Sequence, residues 1–141
     1  MENHADTASL NRKILAFEWD PFVFLIAEDV EENYLLLAEW LKKTKVRLIW
    51  AHNGQEAVDA VRSDQHFDLF ITDIQMPVMD GFNATRLIHL EKPALPILAY
   101  TAYSYEGVTE KILIAGAKEC LIKPFDNRIL LNTIRKYLFR S

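Results

Sequence analysis

The sequence predicts an α/β fold, a doubly wound parallel β-sheet with helices on both faces. Short apolar runs bounded by turn residues recur at residues 22–27 (FVFLIA), 67–71 (FDLFI) and 95–100 (LPILAY). Runs of that length suit strands buried on both faces. Between them lie stretches with apolar residues at helical spacing. A third feature is positional. Polar side chains stand where the runs give way to loops, at the edge where open parallel sheets bind ligands. Asp73 is the first of these to need a reason, because Asp is a poor strand residue and costly to bury unpaired.

Residues 1–20 read as an N-terminal tail or linker, polar at first and then mixed around residues 14–17 (ILAF) and Trp19, with the domain proper at 21–141. Phe17 and Trp19 are expected to pack on the outside of that domain. Residues 22–27 are the first strand, ending at Glu28-Asp29. A helix follows, with Tyr34, Leu37, Ala38 and Leu41 on one face and Glu31 and Glu32 in its first turn. Residues 46–51 (VRLIWA) form a second strand, more amphipathic and so expected near an edge. Asn53-Gly54 turn into a second helix that groups Ala57, Val58 and Val61. The Phe67 run is the third strand, and a third helix fits residues 83–90, closed off by Pro93 and Pro96.

Residues 95–100 are the fourth strand, ending at Thr101-Ala102. A fourth helix near 108–115 brings Val108, Ile112 and Ala115 together and places Gly116 just past its end. Residues 119–122 make a short fifth strand before Lys123-Pro124. Asp126 or Asn127 caps a last helix whose inner face holds Leu130, Ile134 and Tyr137. A (βα)5 chain with right-handed crossovers points to the flavodoxin-like strand order 2-1-3-4-5.

Composition removes several classes of function. A chain of 141 residues is one domain, long enough for a sizeable core. Its net charge of −4 argues against a nucleic-acid surface. Cys120 is the single cysteine, which rules out an internal disulfide and a cysteine metal site. Nothing approaches the ~18 consecutive apolar residues of a membrane span, and the polar start lacks a signal peptide's apolar stretch. A cytoplasmic module without direct membrane contact is the expectation, tethered to a membrane sensor if the parent protein is one.

Four strand ends carry Glu28-Asp29, Asp73, Thr101 and Lys123, which would share one edge of the sheet. Three carboxylates held close together repel one another, and a divalent cation is the usual remedy. Oxygen-only ligands without His or Cys favour Mg²⁺. With an ammonium and a hydroxyl added, the set suits an anion rich in oxygen, and a phosphoryl group fits best. Each residue alone has a bland reading as a turn or solvated charge. The set together points to a shared site.

On these residues the chain resembles the receiver domain of two-component response regulators over residues 22–139. Glu28-Asp29, Asp73 with Met76-Pro77 and Gly81, Thr101-Ala102 and Lys123-Pro124 stand in the family's order. The resemblance implies that Asp73 accepts a phosphoryl group from a phosphohistidine of a histidine kinase or phosphotransfer protein. It implies that Asp29, Asp73 and the backbone carbonyl of Gln75 hold Mg²⁺, with Glu28 reaching it directly or through water. Lys123 would pair with the acceptor carboxylate and then a phosphoryl oxygen, aimed by a cis bond to Pro124, and Thr101 would swing in to the phosphoryl group. The first helix of the domain and the loops around Asp73 would dock the partner. The fourth helix, fifth strand and last helix would form an output or homodimer face.

Two positions depart from the family pattern. Cys120 stands where members carry Tyr or Phe three residues before the lysine, so the aromatic half of the usual switch is missing. Tyr100, Tyr103 or Tyr105 is expected to take over part of that volume. Glu28 replaces the commoner Asp, as in receivers of hybrid sensor histidine kinases, and the linker-like start points the same way. Only Arg140-Ser141 follow the last helix, so no DNA-binding output domain is expected. A stand-alone regulator is the alternative parentage.

Other classes fit less well. An aspartyl-phosphate phosphatase needs an acid two residues after the nucleophile, and Gln75 cannot serve. A flavin phosphate would be repelled by Glu28-Asp29. A receiver that binds without phosphorylation would not need all five site residues. Cys120 is expected to be an inert core thiol. His52, His66 and His89 are expected at the surface and His4 in the tail. Tyr103, two residues after Thr101, is expected to shield the phosphoryl group from water.

Overall fold

The computed structural model of the chain describes residues 4–103 and 105–139, with the backbone alone for residues 4–6. Residues 1–3 of the expected tail, the side chain of His4 and the terminal Arg140-Ser141 lie outside the described residues. Five strands pair in parallel in the order β2-β1-β3-β4-β5: β1 (Val23–Ala27), β2 (Arg47–Ala51), β3 (Leu69–Asp73), β4 (Ile97–Thr101) and β5 (Glu119–Ile122). Among the described residues six α-helices accompany them: α1 (His4–Leu15), α2 (Glu31–Leu41), α3 (Gly54–Arg62), α4 (Gly81–Glu91), α5 (Val108–Ala115) and α6 (Asn127–Leu138). The sheet is the one expected, with β2 at an edge.

Alternation along each strand divides the core into two layers. Leu25, Phe70, Ile97 and Ala99 face one layer with Val58, Ile88 and Ile112 from α3, α4 and α5. Phe24, Ile26, Leu98 and Tyr100 face the other, with Leu37, Leu41 and Ile134 from α2 and α6. Burial on both sides explains why these strands read as unbroken apolar runs. Side-chain caps start three helices where short polar residues stand. Asn53 accepts from the Glu56 N–H, Asp80 from Asn83 and Asp126 from Ile129. Gly116 follows α5 with φ 128°, as expected of a helix stop, and half-buried His89 lies against it, deeper than a surface residue.

Residues 4–20 depart from the tail reading. His4–Leu15 is helical, and its last turn closes on a left-handed Phe17 at φ 58°, with Glu18 N–H donating to the Lys13 carbonyl at 2.8 Å. Ile14 and Trp19 are fully buried in the layer that holds Phe24, Leu41 and Ile134. The Trp19 indole donates to the Ile14 carbonyl at 3.2 Å and its backbone N–H to Thr44 at 2.7 Å. Trp19 is therefore core, and Phe17 sits half-buried beneath the Arg135 guanidinium, 4.8 Å from the ring centre. A polar helix with a narrow apolar face becomes stable once α6 covers that face.

Candidate functional site

Register places the site. Ala27 pairs with Thr72, so Glu28, just past β1, and Asp73, the last residue of β3, sit level at the carboxyl end of the sheet. Asp73 in turn pairs with Tyr100, and Thr101 pairs with Ile122 just ahead of Lys123. The ladder runs on past the strands. Glu28 N–H donates to Ala51, Ile74 N–H to Tyr100 and Lys123 N–H to Thr101, at 2.9–3.1 Å. The Lys123–Pro124 bond is cis.

Glu28, Asp29 and Asp73 each offer a carboxylate oxygen, and the three atoms lie within 4.8 Å of one another. Glu28 is fully buried, Asp73 half-buried and Asp29 exposed. The buried charge is met by two donors, the Val30 N–H on Oε2 at 3.0 Å and the Tyr100 hydroxyl on Oε1 at 2.5 Å. The Trp50 indole also donates to the Glu28 backbone carbonyl at 2.7 Å. Burial first and the Glu28 charge second push the Asp73 carboxyl up to about 6, against the Gln75 N–H, the Lys123 charge and the Ile74 N–H, which pull it down. Burial, then Glu28, drive the Tyr100 hydroxyl far above its ordinary range, so it stays a donor.

The remaining expected residues fall around this edge. Lys123 influences Asp73 through space, but among the described residues it forms no ion pair. Its ammonium lies over the Tyr100 ring, 5.0 Å from the centre. Thr101 is buried, and its hydroxyl accepts the Tyr103 N–H at 3.0 Å. Gln75 is exposed, its N–H 3.4 Å from Asp73 Oδ1. Gly81 holds the loop after Asp73 tight, since a Cβ there would meet Ile74 Cα at 2.8 Å as well as the Asp73 carbonyl.

The vacancy expected around Cys120 is not filled by a tyrosine. Cys120 faces the α5 layer beside Ala99, whereas Tyr100 points to the α6 layer, and Tyr103 and Tyr105 are exposed. The thiol itself is half-buried, and burial pushes it up. The sequence reading did not place Tyr100 or Trp50 at the site. A hydroxyl inside an otherwise apolar strand was the available signal, because a buried tyrosine O–H seeks a partner.

A family profile described as the response regulator receiver domain matches residues 24–135. The chain belongs to that family. It is therefore a receiver domain of two-component signalling. It is 41% identical over 106 residues to the sensor protein EvgS of Escherichia coli K12, covering 75% of this chain and 9% of that protein. It is 34% identical over 123 residues to the hybrid signal transduction histidine kinase M of Dictyostelium discoideum, covering 83% of this chain and 5% of that protein. The chain thus spans a small fraction of these relatives. Among solved structures, the Thermotoga maritima response regulator TrrA in complex with Mg²⁺-BeF superposes with a TM-score of 0.75 at 29% identity, covering 83% of this receiver and 99% of that chain. The co-crystal structure of the Saccharomyces cerevisiae phosphotransfer protein Ypd1 with the receiver domain of Ssk1 gives 0.75 at 28% identity, covering 82% and 88%. No helix among the described residues is long and apolar enough to cross a membrane.

Proposed function

We propose that Asp73 is the phosphoacceptor of this receiver and takes a phosphoryl group from a phosphohistidine on a histidine kinase or phosphotransfer protein. The observation that carries this is the all-oxygen cluster of Glu28, Asp29 and Asp73 beside Lys123 and Thr101. Three acids at that separation suit a hard cation that keeps several of its waters, and Mg²⁺ fits. Asp29, Asp73 and the Gln75 backbone carbonyl would hold it, with Glu28 direct or through water. When bound, it supplies positive charge that offsets the charge on the transferring oxygens.

The chain's own groups do the rest. An Asp73 oxygen attacks phosphorus, a P–O bond forms as the P–N bond breaks, and the imidazole nitrogen keeps the bonding pair. The Asp73 carboxyl, raised to about 6, still lies below neutral pH, so the ionised form that attacks prevails there. Lys123 donates to a phosphoryl oxygen. Thr101 accepts from Tyr103 and keeps its own hydroxyl proton to donate inward. Water later cleaves the acyl phosphate and returns Asp73 with inorganic phosphate.

The relative named as a hybrid kinase supports a parent protein of that kind. Partner docking is assigned to α2 and the loop after Asp73, where Val30, Leu35, Leu36 and Val78 are exposed. The face of α5, β5 and α6, with Leu113, Ile114 and Ile129 exposed, is assigned to output or homodimer contacts. The test is incubation with Mg²⁺ and acetyl phosphate. An acid-stable, base-labile adduct is expected on the wild-type chain and not on Asp73→Asn. No adduct, or equal adducts on both proteins, refutes the assignment.

A further inference from the structure

Phosphoryl transfer at Asp73 makes no use so far of the fully buried tyrosine at the site. Tyr100 is buried on β4, its ring edge-on to Phe125 at 6.2 Å. β3 lies between β4 and β1, so the hydroxyl crosses the end of the Asp73 strand to reach Glu28. The same ring carries the Lys123 ammonium, 5.0 Å from its centre. One side chain thus touches the groups that flank Asp73 on both sides, the acid from β1 and the base from β5.

The hydrogen bonding at Glu28 says what that contact does. A carboxylate has about four lone-pair sites on its two oxygens. Tyr100 occupies one on Oε1 and the Val30 N–H one on Oε2. The rotamer is pinned at both oxygens, yet each keeps a lone pair. The pinned carboxylate is the one whose oxygen lies within 4.8 Å of those of Asp29 and Asp73. We propose that Tyr100 is a positioning residue for the cation site: its hydroxyl fixes Glu28 toward Asp29 and Asp73, and its ring seats Lys123 on the other flank. This rests on the phosphoryl-accepting reading of Asp73.

The experiment is a Mg²⁺ titration of the whole chain, followed by intrinsic tryptophan fluorescence, to which Trp50 contributes through the indole that holds the Glu28 carbonyl. Removing a residue that orients a metal ligand costs about 10- to 100-fold in metal affinity. Tyr100→Phe is expected to raise the Mg²⁺ concentration at half-saturation about tenfold. Because the ring and Lys123 remain, its rate of adduct formation from acetyl phosphate at saturating Mg²⁺ stays within about twofold of wild type. A tyrosine serving only as packing would not separate affinity from rate in this way. Tyr100→Leu, which also removes the seat of Lys123, lowers the rate at saturation too. In a Glu28→Ala background, Tyr100→Phe should change Mg²⁺ affinity by less than about twofold, since its route of action is gone.

The outcomes separate the two readings. If the wild-type chain binds no Mg²⁺ and forms no adduct, the phosphoryl-accepting reading and this inference fall together. If the wild type does both and Tyr100→Phe binds Mg²⁺ equally well, or still weakens binding tenfold without Glu28, only the role of Tyr100 is overturned. Should Tyr100→Phe lack the native circular dichroism spectrum, NMR of the wild-type Tyr100 ring protons in the same titration decides. Shifts that track the binding isotherm support the role, and invariant resonances overturn it.

Discussion

Asp73→Asn should stabilise the metal-free receiver, by an amount that depends on pH. The Asp73 carboxyl rises from an ordinary 3.8 to about 6 in the folded chain, through burial and then the Glu28 charge. Its folded value lies above its unfolded one, so the native state binds the proton more tightly between those pH values. Stability is therefore lost as pH rises from about 4 to about 6, and the full deficit is present at pH 7. That difference corresponds to ~3 kcal/mol of cost to the ionised form. Water reaches the half-buried group, and screening reduces the cost to about 1–2 kcal/mol. Asparagine removes the charge and with it the deficit. Urea unfolding in chelator should show the variant about 1–2 kcal/mol more stable than wild type at pH 7 and equal to it near pH 4. Mg²⁺ at 100 times its dissociation constant adds about 2.7 kcal/mol to wild type and should reverse the order. A variant no more stable than wild type at pH 7, or a gain unchanged between pH 4 and 7, would refute the reasoning.

Four further outcomes are expected. Gly81→Ala forces a Cβ against the backbone of Asp73 and Ile74, and should cost about 3 kcal/mol in urea unfolding while abolishing adduct formation. Trp19→Ala, or a chain begun at residue 21, empties a fully buried site beside Phe24. Such truncations cost about 3–5 kcal/mol, and a melting curve that does not move would return residues 1–20 to the status of a tail. Cys120, raised by burial, should react with Ellman's reagent at pH 8 at least about tenfold more slowly in the folded chain than in denaturant. Tyr103→Ala should shorten the lifetime of the acyl phosphate, read as loss of label after the phosphodonor is removed; an unchanged lifetime counts against a shielding role.

The sheet was legible because its strands are buried on both faces, which leaves unbroken apolar runs and polar residues only where the chain leaves the core. Glu28, Asp29 and Asp73 could be grouped from their places at strand ends, and the register that levels Ala27 with Thr72 brings them together. What escaped the sequence depends on distant partners. Tyr100 finds Glu28 across 72 residues; its hydroxyl in an apolar strand announces a partner, but nothing local says which. Trp19 belongs to the core because Thr44 accepts its backbone N–H and α6 supplies its layer, and neither lies near it in sequence. Lys123 illustrates the opposite limit. Its place was foreseen, but the geometry sets its ammonium over an aromatic ring in place of an ion pair.

The absent aromatic at position 120 bears on how a phosphoryl group at Asp73 could be sensed elsewhere. Ala99, Thr101 and Cys120 belong to the α5 side of the sheet, while Tyr100 and Leu121 belong to the α6 side. Strand alternation forbids Tyr100 from exchanging volume with Thr101 on the α5 side without turning β4 over. A rotamer swap between a hydroxyl and a large ring is therefore not available on that face. Two routes remain in the contacts present. One runs from Thr101 through the Tyr103 N–H into the loop that leads to α5, where exposed Tyr103 and Tyr105 cost little to move. The other runs from Glu28 and Lys123 through the Tyr100 ring to Phe125, which meets Trp40 of α2 at 5.9 Å. The second route joins the proposed cation site, ring by ring, to the helix whose exposed leucines we assign to partner docking.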